Sequence, residues 1–311
     1  MASQAPLTSS PTTTAPAREP GGSAAVQQRL SAGIALFRRG GALRKPVSII
    51  SWGFVALILL VALLAPVLSP ADPNVQSRTD ELLAIGTPGH LLGTDALGRD
   101  QLSRLIYGAR PLVLVSLLSV VLAAAIGTLI GLIAGYFRGL TETVLMRLMD
   151  ALLSFPLILL AIMIVSALGA SARNLILAIA IAQVPIFARI VTALTARESA
   201  REYILAARSA GFSTRRILGR ELLPNVSGSI FVQGTSLVAV AGGYAGALSY
   251  LGLGIRPPTA DWGYMVRENQ EFLSIAPDLS ILPGLLLTLF LTAVNFIGDD
   301  LDALFGRDRQ G

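Results

Sequence analysis

One histidine, one lysine and no cysteine narrow the chemistry open to this chain of 311 residues. His90 stands alone, and without cysteine or a second histidine it does not complete a zinc site of the usual kind. It is read as a turn residue ahead of Leu92-Gly93-Thr94-Asp95. Gly169-Ala170-Ser171-Ala172 has the look of a serine nucleophile site, but that chemistry requires a base within hydrogen-bond reach. The only histidine lies far upstream, so this stretch is read as a tight turn. No Gly-x-x-x-x-Gly-Lys-Ser/Thr loop occurs and the sole lysine is Lys45. The chain is therefore not expected to hydrolyse ATP itself. No catalytic residue and no metal ligand is assigned.

Two polar stretches carry more information. Residues 196–225 read ARESAREYILAARSAGFSTRRILGRELLPN. Glu202 to Ala210 contains no helix breaker and is rich in Ala, Leu and Arg, which predicts a short helix. Gly211 can stop that helix by taking a left-handed conformation. A helix–Gly–helix element suits docking, with an ordinary connector as the alternative. The second stretch pairs Gly93-Thr94-Asp95 with Gly98-Arg99-Asp100. Asp and Thr cap helix starts, and Arg99 can pair with either carboxylate, so an ordering role at a helix entry is expected. Pro257, Pro258 and Trp262 are read as a stiff loop at a membrane interface, where Trp is favoured.

The elements that must position these residues are apolar. Hydrophobic residues make up 53% of the chain and charged residues 14%, with mean hydropathy +0.67. Soluble domains carry about 25% charged residues. The net charge of +5 does not point to nucleic acid, because the arginines flank apolar runs rather than forming one basic face. Six runs reach the roughly 20 residues that a spanning helix needs: Val47–Leu68, Leu112–Tyr136, Leu145–Leu168, Asn174–Thr195, Val226–Leu251 and Ile281–Gly298. With the N-terminus in the cytosol, 17 of the 24 Lys and Arg fall on cytoplasmic segments, counting Arg189 among them. The positive-inside bias then places both termini inside. Gly127, Gly131 and Gly135, with Ala123, form a smooth strip for a neighbouring helix, and Gly242 with Gly246 repeats the device. Pro156 and Pro185 are each expected to kink or end a helix. Residues 1–45 are expected to be a disordered tail. Within it Val26, Leu30, Ile34 and Phe37 suit a helix on the membrane surface or a plain linker helix.

These motifs carry a family resemblance. Leu205-Ala206-Ala207, Gly211 and Leu223-Pro224, preceded by Glu202-Tyr203, resemble the EAA loop of ABC-importer permeases. Leu205 stands where that loop usually has Glu, and Glu221 where it has Ile or His. GHLLGTDALGRDQLSRLIYGAR (Gly89 to Arg110), LSYLGLGIRPPTADWG (Leu248 to Gly263) and NFIGDDLDALF (Asn295 to Phe305) are similar to segments of the C-type subunit of dipeptide, oligopeptide and nickel permeases. The last departs from the pattern by one missing residue before Asp302. The match covers about residues 40 to 308.

The resemblance implies an all-α protein with six transmembrane helices, of the type I ABC importer architecture, spanning residues 46–308 and including the cytoplasmic loop 196–225. It implies residence in a bacterial inner membrane, with lipids around the spans. It also implies a second permease subunit of B type, two ATP-binding subunits that hold ATP and Mg, and an extracytoplasmic substrate-binding protein. Glu202, Tyr203, Ile204, Leu205, Ala206, Ala207, Arg208, Gly211, Phe212, Leu223 and Pro224 would couple to the ATPases. Di- or oligopeptides are the expected cargo, with nickel chelates and glutathione-like solutes as alternatives. The 93–100 stretch has contact with the binding protein as its sharper alternative role. A secondary transporter is disfavoured because Asp150, Asp299 and Asp300 sit near span ends rather than at a midplane. A membrane scaffold would leave the Gly211 element without a use.

Overall fold

The computed structural model describes residues 44–307. Apart from Arg44 and Lys45, which already belong to a helix, the tail and its candidate surface helix lie outside the described residues. The rest is helical: α1 (Arg44–Leu68), α2 (Gln101–Phe137), α3 (Gly139–Leu153), α4 (Leu157–Leu168), α5 (Ala172–Glu198), α6 (Glu202–Ser209), α7 (Thr214–Tyr250), α8 (Trp262–Glu268) and α9 (Asp278–Arg307). Among the described residues the only β-type pairings are two isolated bridges, Thr87 with His90 and Thr94 with Asp100.

Five of these helices are long and apolar enough to cross a membrane, and α3 with α4 makes a sixth if the bent pair counts as one span. The expected third span is therefore not one continuous helix: α3 and α4 meet at 85°. Pro156 is the cause. In a continued helix it would lack a donor and its ring would crowd the Leu152 carbonyl, and the backbone instead leaves the helical region at Pro156, with ψ 129°. Pro185 behaves differently and does not interrupt α5. That helix is packed against α2, α3, α4 and α7, and this enclosure outweighs one lost hydrogen bond.

The second span starts eleven residues before the expected Leu112. Its 37 residues give α2 a length of about 55 Å, well beyond a hydrocarbon core of about 30 Å. The extra turns, Gln101 to Arg110, mix Gln101, Ser103, Arg104 and Arg110 with core residues Leu105 and Ala109 and are largely buried at one end of the bundle.

Packing follows the small residues. α2 and α5 form the closest pair: Gly127 lies against Val184 and Phe187, Gly131 against Ala188 and Val191, and Gly135 against Thr192 and Thr195. A side chain at any of the three would force the helices apart. Gly242 and Gly246 receive Leu291 and Leu287 of α9 in the same way. α1 is peripheral, burying little beyond Ser51, Ile58, Ala62 and Ala65. Between α1, α2, α7 and α9 runs an open apolar groove of about 1160 Å³.

Candidate functional site

The Gly211 element forms at one end of the bundle, beside the C-terminal ends of α2 and α5. α6 closes as the sequence anticipates. Gly211 has φ +76°, its N–H donates to the Arg208 carbonyl, and the Phe212 N–H donates to the Ala207 carbonyl. This six-to-one and five-to-two pair satisfies the last carbonyls of the helix. Phe212 and Ala207 join the same apolar cluster, completing the stop.

Ile204 and Ala207 face inward, against Leu132 of α2, Val191 of α5, and Ile217, Leu222 and Val226 of α7. Glu202, Leu205, Ala206, Arg208 and Ser209 face outward, and Tyr203 is just over a third exposed. Leu205, the departure from the usual Glu, thus puts an apolar side chain on the outer face.

Polar ties lock α6 to three spans. The Tyr203 hydroxyl donates to Glu198 at the end of α5 (2.9 Å) and accepts from Asn225 Nδ2 of α7 (3.1 Å). Arg201 adds an ion pair to Glu198 at 3.1 Å. Burial first, then the Glu198 bond, pushes the Tyr203 phenol from 10.0 up to about 12. The Arg208 guanidinium lies 4.5 Å from the ring centre of Tyr136 at the end of α2. Arg216 stacks on Phe212 at 3.7 Å.

Leu223 and Pro224 begin the regular part of α7, after a π-helical turn over Ile217–Leu222. In an α-helix the Pro224 ring would press on the Arg220 carbonyl four residues back, and the wider turn relieves it. Asn225 Nδ2 donates to the Glu221 carbonyl at 2.6 Å, satisfying an acceptor there. Glu198 and Tyr136 escaped the sequence reading, whereas Asn225 stands in register with the EAA loop, just after Leu223-Pro224.

At the other end, the segment before α2 is knotted around buried charge. Asp95 takes Arg99 Nε at 2.6 Å and Arg104 Nε at 3.4 Å. Glu268 of α8 takes both guanidinium groups, at 2.8 and 3.3 Å. Both arginines and Asp95 are nearly inaccessible, so each charge depends on its partners. Asp100 caps α2, accepting from the Ser103 N–H (2.8 Å), and pairs with His90 at 2.9 Å. Arg99 therefore pairs with Asp95 rather than Asp100, and His90 does more than turn the chain.

Thr94 is not a helix cap. Its hydroxyl donates to the Asp80 carbonyl and accepts from the Leu83 N–H. Gly93 (φ +74°) and Gly98 (φ +69°) press on the backbone of Leu83 and Ser77, leaving no room for a side chain. Trp262 differs from its expected interfacial place: it is buried, at the start of α8, and its indole donates to the Leu105 carbonyl at 2.9 Å. Gly108 provides the space. Ser171 likewise has a structural use, capping α5 through the Asn174 N–H.

The family model described as "Binding-protein-dependent transport system inner membrane component" matches residues 127–310. A second, described as "N-terminal TM domain of oligopeptide transport permease C", matches residues 43–84. Among curated relatives, a dipeptide transport system permease protein of Haemophilus influenzae is 38% identical over 83% of this chain and 89% of its own length. A di/tripeptide transport system permease protein of Pseudomonas aeruginosa is 42% identical, covering 81% and 85%. A glutathione transport system permease protein of Pectobacterium atrosepticum is 38% identical, covering 84% and 86%. Among solved structures, an inward-facing form of the MetNI methionine ABC transporter aligns at TM-score 0.53 and 18% identity. It covers 65% of this chain and 96% of that one, and the likeness extends to the fold alone. With its helical architecture and its EAA-type loop, this chain belongs to the family of binding-protein-dependent transport system inner membrane components, the permease subunits of ABC importers.

Proposed function

We propose that this permease subunit carries di- or oligopeptides across a bacterial inner membrane, together with a second permease subunit of B type. Two cytosolic ATP-binding subunits supply the energy and hold the ATP and Mg. An extracytoplasmic binding protein delivers the cargo. Peptides are favoured because relatives at 38% and 42% identity are named for dipeptides and di/tripeptides. A relative named for glutathione is a peptide-like second case.

The observation that carries the mechanism is α6. Its inner face is anchored by Ile204 and Ala207, and Gly211 closes it, so Leu205, Ala206, Arg208 and Ser209 project from the bundle. In this reading the projecting face seats on an ATP-binding subunit. Movement there passes through Tyr203 to Glu198 and Asn225, hence to α5 and α7. ATP biases the inward and outward states only through contacts that differ between them. Both termini and α6 then lie in the cytosol, and the Asp95–Arg99 end lies outside.

Uptake tests the cargo. Cells whose other peptide importers are deleted should take up labelled dipeptide only when this chain is present. Excess tripeptide should compete and a nickel chelate should not. Uptake independent of the chain would reject the assignment. Orientation is tested in the cysteine-free chain. A Cys at exposed Gln76 should react with an impermeant reagent in intact cells, and one at Ser209 only in opened cells. The reverse pattern would overturn the topology.

A further inference from the structure

α5 is the most enclosed span of the bundle, with 67% of its apolar stretch buried. Beyond its first turn, its fully exposed positions form a strip at multiples of four residues, Ile181, Arg189, Ala193 and Arg197, interrupted at buried Pro185. Arg189 was expected among the cytoplasmic charges, yet it lies nine residues inside the end of α5 at Glu198, about 13 Å along the axis. It pairs at 2.5 Å with Asp150, which α3 brings across just before the 85° bend. The two side chains are 53% and 47% exposed.

A charge pair so placed faces hydrocarbon, the second permease subunit or water, and only the last leaves it open to a water-borne reagent in the complete transporter. Ionisable groups within spans are costly against lipid and are found facing a bundle interior or a water-filled cavity. A lipid-facing pair would also be expected to sit among apolar neighbours. Here the same strip continues to Arg197, and Arg147 is exposed one turn before Asp150. The groove between α1, α2, α7 and α9 is predominantly apolar, with Thr128, Ser227 and Thr235 as its hydroxyl-bearing residues, and no charged side chain lines it to pair with the charged ends of a peptide.

We propose that the Ile181–Arg189–Ala193–Arg197 strip of α5, with Asp150 opposite, is this chain's wall of the aqueous transport path, where a zwitterionic peptide passes. Arg189 and Arg197 face its carboxylate end and Asp150 its ammonium end. The inference rests on the importer reading above. The absence of native cysteine makes accessibility a direct test.

Single Cys variants at Ile181 and Ala193 on the strip, and at Leu117 and Phe231 in the apolar groove, are made in the complete transporter. Each is first checked for dipeptide uptake, then treated with a small cationic methanethiosulfonate without nucleotide. The strip sites should react at least about tenfold faster than the groove sites, since only water-exposed thiols ionise and react readily. Saturating dipeptide should slow the strip reaction. Asp150→Asn should leave protein level within about twofold of the parent, because an ion pair in water contributes little to stability.

Equal or slower labelling of the strip, or loss of the folded protein in Asp150→Asn, would overturn the proposal. If labelling fails while dipeptide uptake persists, the path assignment falls and the importer reading stands. If the parent takes up no peptide, the cargo reading falls first.

Discussion

The two ends of the bundle use glycine at positive φ for opposite purposes. At the Asp95–Arg99 end, Gly93 and Gly98 have positive φ and also press on the backbone of Leu83 and Ser77. Around them, Asp95, Arg99, Arg104 and Glu268 neutralise one another with almost no access to water. At the α6 end, Gly211 has the same sign of φ but open space around it, and its neighbours Arg208, Ser209 and Ala210 are exposed. One end is closed against change, whereas the other presents a surface held only from behind. Similar local conformations thus build a fixed joint in one place and, in the proposed reading, a docking element in the other.

Substitutions should separate these roles by size. The largest effect is expected from Gly98→Ala, whose new methyl would meet the Ser77 carbonyl. A loss above about 4 kcal/mol is expected from such a clash with fixed backbone. Detergent-solubilised protein should show a collapsed yield and a lowered thermal midpoint. Parental stability would mean that the 77–98 knot yields easily.

Next comes Asp95→Asn, which leaves two buried guanidinium groups short of a counter-charge. Breaking a buried pair in this way costs about 3–5 kcal/mol. Glu268→Gln should cost less, because Glu268 is 20% exposed and water can replace part of what is lost. A larger loss for Glu268→Gln than for Asp95→Asn would invert the assigned hierarchy.

Gly211→Ala meets no neighbour, so only its left-handed backbone is strained, at about 1 kcal/mol. Membrane insertion should be normal and the thermal midpoint only slightly lowered. Dipeptide uptake should fall more than that loss of stability explains, because α6 would be presented at another angle. Tyr203→Phe should be comparable in stability, removing hydrogen bonds worth about 1 kcal/mol. The sign of its pH dependence follows from the raised phenol. Its contribution is complete below pH 10.0 and is lost as pH rises through about 12. The difference between parent and Tyr203→Phe should therefore stay constant between pH 6 and 9. A difference that changes within that range would require another titrating group.

The sequence made the spans legible because apolar length is a strong signal, and the glycine strip of α2 because its four-residue spacing has one structural use. The stop at Gly211 was legible for the same reason: a helix that must end beside an apolar Phe212 needs that residue. What escaped were features settled by distant partners. The helical turns before Leu112 escaped because the Arg104 they carry is matched by Glu268, more than 150 residues later. Trp262 suited a membrane interface until Gly108 supplied a buried slot. Pro156 and Pro185 are chemically alike, and only packing around α5 distinguishes a break from an uninterrupted helix. Arg189 was assigned to the loop because its partner Asp150 arrives from another helix.

The central claim, that α6 is the surface on which the ATP-binding subunits act, is tested most directly at Ser209. A Cys there is exposed in the isolated chain and should react readily with a bulky hydrophilic maleimide. In the assembled transporter, its labelling should fall by about tenfold, as expected for a side chain enclosed in a specific interface. Removal of the ATP-binding subunits should restore it. Equal labelling in the isolated chain and in an assembled, transport-active complex would contradict the account and reduce α6 to a connector between α5 and α7.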